Sequence, residues 1–384
     1  MTPHIPTQKV DMNDSRMRIG VLGCGSVSGQ YFPNLVDSPV LDLVAVADID
    51  GARAAETAAE WGTIAVTPDE LIADPAIELV LNLTPIVAHV ATTRALLAAG
   101  KHVYSEKSLA PTAAEAAALV AEAQQRGVVL AVAPDTLLGS GFSAARESFV
   151  AGEIGRPLFA TATMVRASRA GAIWYTDGLM PLLDMAPYSV SALVSLFGDV
   201  VAVQASTVLW PTKEVPEERP AGVQLGAHAV LHFANGAHAA LTLAWAAEPR
   251  GGEYTDVSVY GSRGILHLPN PNNFGDPAFI TRFSADRSDE FVREEIAGSR
   301  RPQDAPRDNL RGIGAAEAAL AVRSGQPARC SASLAVHVVE VIRAIEASGA
   351  SGERVVVSSH AEIAPMLSAA GRAHLLPGVA GVPV

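Results

Sequence analysis

The chain has little that would cross-link it, anchor it or draw it to a polyanion. Its two cysteines, Cys24 and Cys330, supply neither a disulfide framework nor a four-ligand zinc site, which points to a reducing compartment, the cytoplasm. No apolar run reaches the roughly 20 residues that span a bilayer, so no membrane partner is expected. Residues 1–17 lack the apolar stretch of a signal peptide and read as a flexible tail. Cationic residues are outnumbered, 28 Lys and Arg against 40 Asp and Glu, and form no basic stripe; nothing here calls for nucleic acid. What remains is a chain of 384 residues with 49% hydrophobic side chains, enough for two domains of ordinary size.

Short apolar runs at residues 18–22, 43–47, 79–83, 102–104 and 128–132 alternate with helical stretches at 53–61, 89–99 and 112–126. Continuous apolar strands between helices predict a parallel sheet covered on both faces, so residues 18–134 read as an α/β, doubly wound Rossmann domain. After Pro134 the texture changes. A helix is expected at 143–150 and strands at 157–165, 200–209, 227–233, 237–245 and 255–268, with hairpin signals such as Ala234-Asn235-Gly236. Residues 270–304 read as irregular, and helices follow at 312–324 and 332–347. Residues 135–384 are therefore expected to form an α+β, mostly antiparallel domain that holds substrate and mediates assembly.

The turn G-C-G-S-V-S-G at 23–29 follows the first strand directly. Gly23 permits a tight turn and Gly25 lets backbone approach a pyrophosphate, with Ser26 and Val27 beside it. Asp48 ends the second strand, where a carboxylate can accept from a ribose 2′-hydroxyl and repels a 2′-phosphate. Ile49 adds no positive charge, so NAD is expected and NADP is disfavoured. Thr84, Pro85 and His89 follow the next strand, where they can meet the nicotinamide ribose; His89 can equally cap the helix it opens. The segment G-K-H-V-Y-S-E-K at 100–107 delivers Glu106 and Lys107 to the carboxyl end of a strand, where open α/β sheets bind ligands. The two side chains point apart on extended backbone, which disfavours a simple ion pair between them. Asp135 is a candidate for substrate contact or a turn former. Trp174 and Tyr175 suit a sugar face or a core. His228, His232 and His238 lack a carboxylate or cysteine cluster, so no metal is expected. Taken alone, Asp184 would cap a helix at 185–196 with Tyr188 in its core.

With L-N-L-T-P-I-V-A-H at 81–89, E-K-S-L-A at 106–110, D-M-A-P-Y at 184–188, N-L-R-G-I-G at 309–314 and L-A-V-H-V-V-E-V at 334–341, the chain resembles the glucose-fructose oxidoreductase and inositol dehydrogenase (Gfo/Idh/MocA) family. The resemblance implies a Rossmann domain followed by an open-faced sheet. It implies hydride transfer between NAD and a secondary alcohol or ketone of a sugar, cyclitol or related polyol. Lys107 and Asp184 stand where that family has its catalytic lysine and aspartate. Tyr188 would then act as acid/base, Lys107 as its electrostatic partner and Asp184 as the positioning carboxylate, or Lys107 and Tyr188 would exchange roles. Two departures stand out: Ser108 follows the lysine where proline is common, and Tyr188 stands where histidine is common, though some members carry tyrosine there.

Relatives of this kind also include NAD-dependent glycosidases or eliminases that oxidise a ring transiently, and non-catalytic dinucleotide or sugar sensors. Aglycone release without NADH accumulation marks the first, and tight NAD binding without turnover marks the second. Residues 237–247 are more apolar than a solvated sheet face tolerates, which predicts a homodimer or homotetramer through the C-terminal sheet.

Overall fold

The computed structural model describes residues 16–167, 180–209, 224–246, 253–283, 291–300 and 308–375. The expected tail and the candidates Trp174 and Tyr175 lie outside the described residues.

The N-terminal sheet is built from β1 (Met17–Leu22), β2 (Leu41–Ala47), β3 (Ile64–Val66), β4 (Leu79–Asn82), β5 (His102–Ser105) and β6 (Leu130–Val132). Its order is β3-β2-β1-β4-β5-β6, all parallel, so the strand order reverses between β1 and β4. Helices α1 (Phe32–Val36), α2 (Gly51–Trp61), α3 (Pro68–Ala73), α4 (Ile86–Ala98) and α5 (Ala113–Arg126) connect the strands. Two of them, α2 and α5, carry a side-chain cap at the start and a left-handed glycine at the end. Asp50 caps α2 by accepting from the amides of Ala52 and Arg53, and Gly62 closes it at φ 68°. Thr112 caps α5, and Gly127 ends it at φ 67°. Ile19, Val21, Leu79, Leu81 and Val103 are fully buried. Each contributes roughly 1.5–3 kcal/mol by leaving water.

Two elements here go beyond the sequence reading. β3 is three residues long on an exposed edge, too short to carry a pattern. The helix α3 opens with a reciprocal Thr67–Glu70 capping box, a signal present in T-P-D-E.

The second sheet has nine strands: β7 (Pro157–Ala167), β8 (Val200–Leu209), β9 (Gln224–Phe233), β10 (His238–Ala246), β11 (Glu253–Gly261), β12 (Gly264–His267), β13 (Phe279–Phe283), β14 (Phe291–Glu295) and β15 (Val355–Val356). Their order is β14-β13-β12-β11-β7-β10-β9-β8-β15. Pairing is antiparallel except between β7 and β10, which run parallel. Helix α6 (Ser140–Val150) precedes the sheet, and α7 (Met180–Phe197), α8 (Ile313–Ser324), α9 (Ala332–Ser351) and α10 (Ala369–Leu375) complete the described fold. Leu193 and Val194 of α7 and Val341, Ile342 and Ile345 of α9 pack with Met164, Leu231, Leu241 and Val259 in one core. On the other face, Phe159 stacks on His238 at 6.1 Å and on Tyr260 at 4.6 Å between ring centroids.

Two expectations are corrected. The single strand read at 255–268 is the hairpin β11–β12, turned at Ser262 and Arg263. The stretch read as irregular contains β13 and β14; the sheet ends on β14, F-V-R-E-E, whose Arg293, Glu294 and Glu295 are the kind of charges that protect an edge strand and mask its strand pattern. Beyond residue 134, one helix returns to the first sheet. Ile313, Ala315, Ala316, Ala318 and Ala319 of α8 are buried with Ile19, Tyr31, Leu79 and Tyr104, so this helix covers one face of the N-terminal sheet.

Candidate active site

The carboxyl edge of the parallel sheet presents a row of backbone turns. Gly23 adopts φ 106°, and a Cβ there would lie 2.7 Å from the carbonyl carbon and oxygen of Leu83. Only glycine lets the end of β1 pass this close to the end of β4. Gly25 and Ser26 are exposed, and a Cβ at Gly25 would meet nothing within 4 Å, so the turn leaves clear space for a dinucleotide pyrophosphate. Val27, half-buried, leads into a 3-10 turn at Ser28–Gln30, and the short α1 follows with Pro33 in its first turn.

Asp48 ties this turn to β2. One of its oxygens accepts from the Cys24 amide at 2.8 Å, the other from the Asp50 amide at 2.9 Å. Ile49 is 98% exposed beside it. A cation that sequence reading passed over also stands here: Arg53, one turn into α2, lies 3.4 Å from Asp48 and 3.1 Å from Asp50. Thr84 is half-buried and Pro85 exposed on the same edge. Cys24 is buried, and burial foremost pushes its thiol up, which suits a small filler better than a reactive group.

The chemical groups gather one strand further along. Lys107 follows β5, and its ammonium donates to the Asp184 carboxylate and, at 3.0 Å, to the Asp184 backbone carbonyl. The same nitrogen sits 4.9 Å from the centroid of the Tyr188 ring. Burial alone would lower the Lys107 pKa; the groups around the ammonium, Asp184 first and then Tyr188 and Glu106, together outweigh it, and the net shift is upward. Glu106 turns the other way, accepting from the Tyr31 hydroxyl at 2.5 Å and from the Lys107 amide at 3.0 Å. Burial and the Glu106 charge both drive the Tyr31 phenol well up, so it stays a donor. The Lys107–Ser108 peptide is cis.

Asp184 is not a helix cap: α7 begins at Met180, which puts Asp184 and Tyr188 one turn apart on the same face inside the helix. Beyond them the contacts close into a ring. Arg166 of β7 reaches Asp184 at 3.4 Å and Glu253 of β11 at 3.7 Å. Glu253 accepts from Asn272 at 2.7 Å and from Asn270 at 2.9 Å. Asn272 accepts from Arg311 at 2.7 Å, and Arg311 in turn donates to the Tyr188 hydroxyl at 3.4 Å. Arg166, Glu253, Asn272 and Arg311 were not singled out from the sequence. They come from four separate segments, and only N-L-R-G, which carries Arg311, lay in a stretch marked by resemblance.

Other candidates stand apart from this ring. His89 is buried, with one ring nitrogen 2.7 Å from the Thr84 carbonyl and the other 2.8 Å from the Ser108 carbonyl. Both nitrogens thus face backbone carbonyls, and the side chain ties the ends of β4 and β5 together. Burial lowers its pKa, with the two carbonyls opposing. Asp135, the candidate for substrate contact, is 2% exposed. Its carboxylate accepts from the amides of Gly312 (2.9 Å) and Gly314 (3.2 Å) at the start of α8. A Cβ on Gly314 would lie 2.6 Å from the Tyr104 hydroxyl, so glycine is what lets α8 dock there. His228 and His232 face the outer sheet surface, near Thr242 and Gln204. No metal-binding cluster occurs among the described residues.

Residues 17–133 match the family described as "Oxidoreductase family, NAD-binding Rossmann fold", and residues 142–267 match the GFO/IDH/MocA C-terminal domain. A dTDP-3,4-didehydro-2,6-dideoxy-alpha-D-glucose 3-reductase from Streptomyces violaceoruber is 30% identical over 275 residues, covering 67% of this chain and 78% of its own. Levoglucosan dehydrogenase, in complex with NADH and L-sorbose, superposes with a TM-score of 0.77 at 21% identity over 89% of this chain and 99% of its own. An NAD-binding oxidoreductase from Klebsiella pneumoniae gives 0.78 at 23% identity over 90% and 99%. The glycine turn, the strand order with its reversal beside that turn, and the matches across both domains agree: the chain belongs to the GFO/IDH/MocA family of NAD-binding oxidoreductases.

Proposed function

We propose that this enzyme moves a hydride between nicotinamide and a secondary alcohol or ketone of a sugar, cyclitol or related polyol. The observation that carries the reading is the Lys107 ammonium, bound to Asp184 and lying over the Tyr188 ring at the carboxyl end of the parallel sheet. The reductase and dehydrogenase relatives act on sugars, which supports the substrate class. Bound NAD(H) would lie along Gly23, Gly25, Ser26, Val27, Asp48, Ile49, Thr84 and Pro85, and it supplies the hydride acceptor or donor.

The chain's own groups handle the proton and the charge. Lys107, with its pKa raised, stays an ammonium across the neutral range and serves as a donor to the substrate oxygen, lowering the cost of an alkoxide. That leaves the Tyr188 hydroxyl to exchange the proton, with Arg311 orienting it. Asp184 holds Lys107 in place and is itself held by Arg166.

The test is a panel of inositols, aldoses, sugar acids and keto-sugars with NAD or NADH, followed by NADH absorbance and product structure. Lys107→Met and Tyr188→Phe are each expected to cut kcat by about 10²–10⁴. Near-normal turnover in both variants would sink the assignment. Release of an aglycone without NADH accumulation would replace it with transient ring oxidation.

The reading extends to assembly and compartment. The outer sheet face, with Phe159, His238 and Tyr260 in one stack, supports a homodimer or homotetramer. A monomer in light scattering at micromolar concentration overturns this. Two free buried cysteines suit the cytoplasm.

A further inference from the structure

Helix α7 carries both Asp184 and Tyr188, and it contains Pro187 between them. Proline has no amide hydrogen, so the helix bond that residue 187 would donate to the carbonyl of residue 183 cannot form. The Leu183 carbonyl is thereby left without its ordinary partner, in a residue that is 2% exposed. A buried carbonyl in that state is destabilising, because it has left water without gaining a partner. The Ser108 hydroxyl fills the place, donating to Leu183 O at 2.9 Å from a residue that is 3% exposed. One residue earlier, Lys107 donates to the next carbonyl of the same turn, Asp184 O, at 3.0 Å. Consecutive side chains after β5 therefore take consecutive carbonyls of α7. On its other side, the Ser108 carbonyl faces the His89 ring at 2.8 Å, so the serine is held from both domains.

We propose that Ser108 is a positioning residue whose hydroxyl substitutes for the helix bond removed by Pro187, and that the pair fixes the turn of α7 presenting Asp184 and Tyr188 to Lys107. The two unusual residues are thus one device: each is tolerated because of the other. The effect on turnover rests on the function proposed above, whereas the pairing itself does not.

The test is a double-mutant cycle of Ser108→Ala and Pro187→Ala in the full-length protein, read by thermal unfolding, turnover and the pH profile of kcat. Ser108→Ala alone is expected to lower Tm by about 2–4 °C and kcat by roughly tenfold, and to move the pH profile by about half a unit. In the Pro187→Ala background, residue 187 regains an amide that bonds Leu183, so adding Ser108→Ala should change each quantity little. Equal losses in both backgrounds overturn the proposal. If Ser108→Ala alone fails to fold while the double variant folds, the pairing is supported; if adding it to folded Pro187→Ala still costs the same several degrees, the pairing is refuted. A wild-type protein that turns over none of the polyols removes the function reading alone, because the unfolding arm of the cycle stands without it.

Discussion

The cofactor edge and the reacting edge of the site are made in different ways. The first is backbone: turns after β1, β2 and β4 whose shape depends on which residues lack a side chain. The second is side chain: Lys107, Asp184, Tyr188, Arg166, Glu253, Asn272 and Arg311, drawn from both domains into a closed polar ring. A site made of turns is written in short contiguous motifs. One made of converging charges exists only once the second domain has packed, and this contrast can be tested at each edge.

The largest effect on the backbone edge is expected at Gly23. Gly23→Ala puts a Cβ 2.7 Å from Leu83 main chain at φ 106° and should cost about 3 kcal/mol or more of stability, measured by urea unfolding. Gly25→Ala is the contrasting arm: its Cβ meets nothing in the protein, so Tm should hold while NADH affinity in a fluorescence titration falls. If both variants lose stability alike, the division of labour within the turn is wrong. On the side-chain edge, Arg311→Met removes the donor to the Tyr188 hydroxyl and should lower kcat about 10–100-fold with little change in NADH affinity. Equal losses in kcat and NADH affinity would mean that the ring serves the fold of both edges.

The smallest effect lies away from either edge, at His337. One ring nitrogen accepts from the Val200 amide at 3.0 Å, so the other carries the hydrogen and meets Ser359 at 2.9 Å. Burial foremost lowers its pKa below the ordinary imidazole value of about 6.5. The unfolded chain then binds the proton more readily than the folded one, so acidification below about pH 6.5 favours unfolding. Melting curves should show Tm falling across that window, with a shallower slope in His337→Gln; an unchanged slope would remove His337 as the source.

How much could be read beforehand follows the same contrast. The Rossmann sheet, the glycine turn, Asp48 and the strand-end Lys107 are local patterns, and they were legible. Asp184 and Tyr188 drew their weight from resemblance, because a carboxylate and a phenol four residues apart also describe an ordinary helix cap and core. Arg166 and Glu253 were not legible, since an arginine and a glutamate on separate strands mean nothing until β7 pairs with β11 and brings them opposite each other. The parallel pairing of β7 with β10 was hidden for a related reason. A hairpin cue at Asn235-Gly236 fixes only the β9–β10 partnership, while the other neighbour of β10 lies about 80 residues upstream. His89 and Asp135 were found as polar residues at strand ends, yet their partners are backbone groups: the carbonyls of Thr84 and Ser108 in one case, the amides of Gly312 and Gly314 in the other.

The return of α8 to the N-terminal sheet has a consequence for how the protein comes into being. During synthesis all six parallel strands emerge by residue 132, but the helix that buries Ile19, Tyr31 and Leu79 on one face begins only at Ile313. Until then an apolar sheet face waits without its cover, and the first domain reaches its final core only after most of the second has left the ribosome. A fragment ending near residue 134 should therefore be sticky and short-lived, and the nascent enzyme has reason to need a chaperone through the middle of its translation.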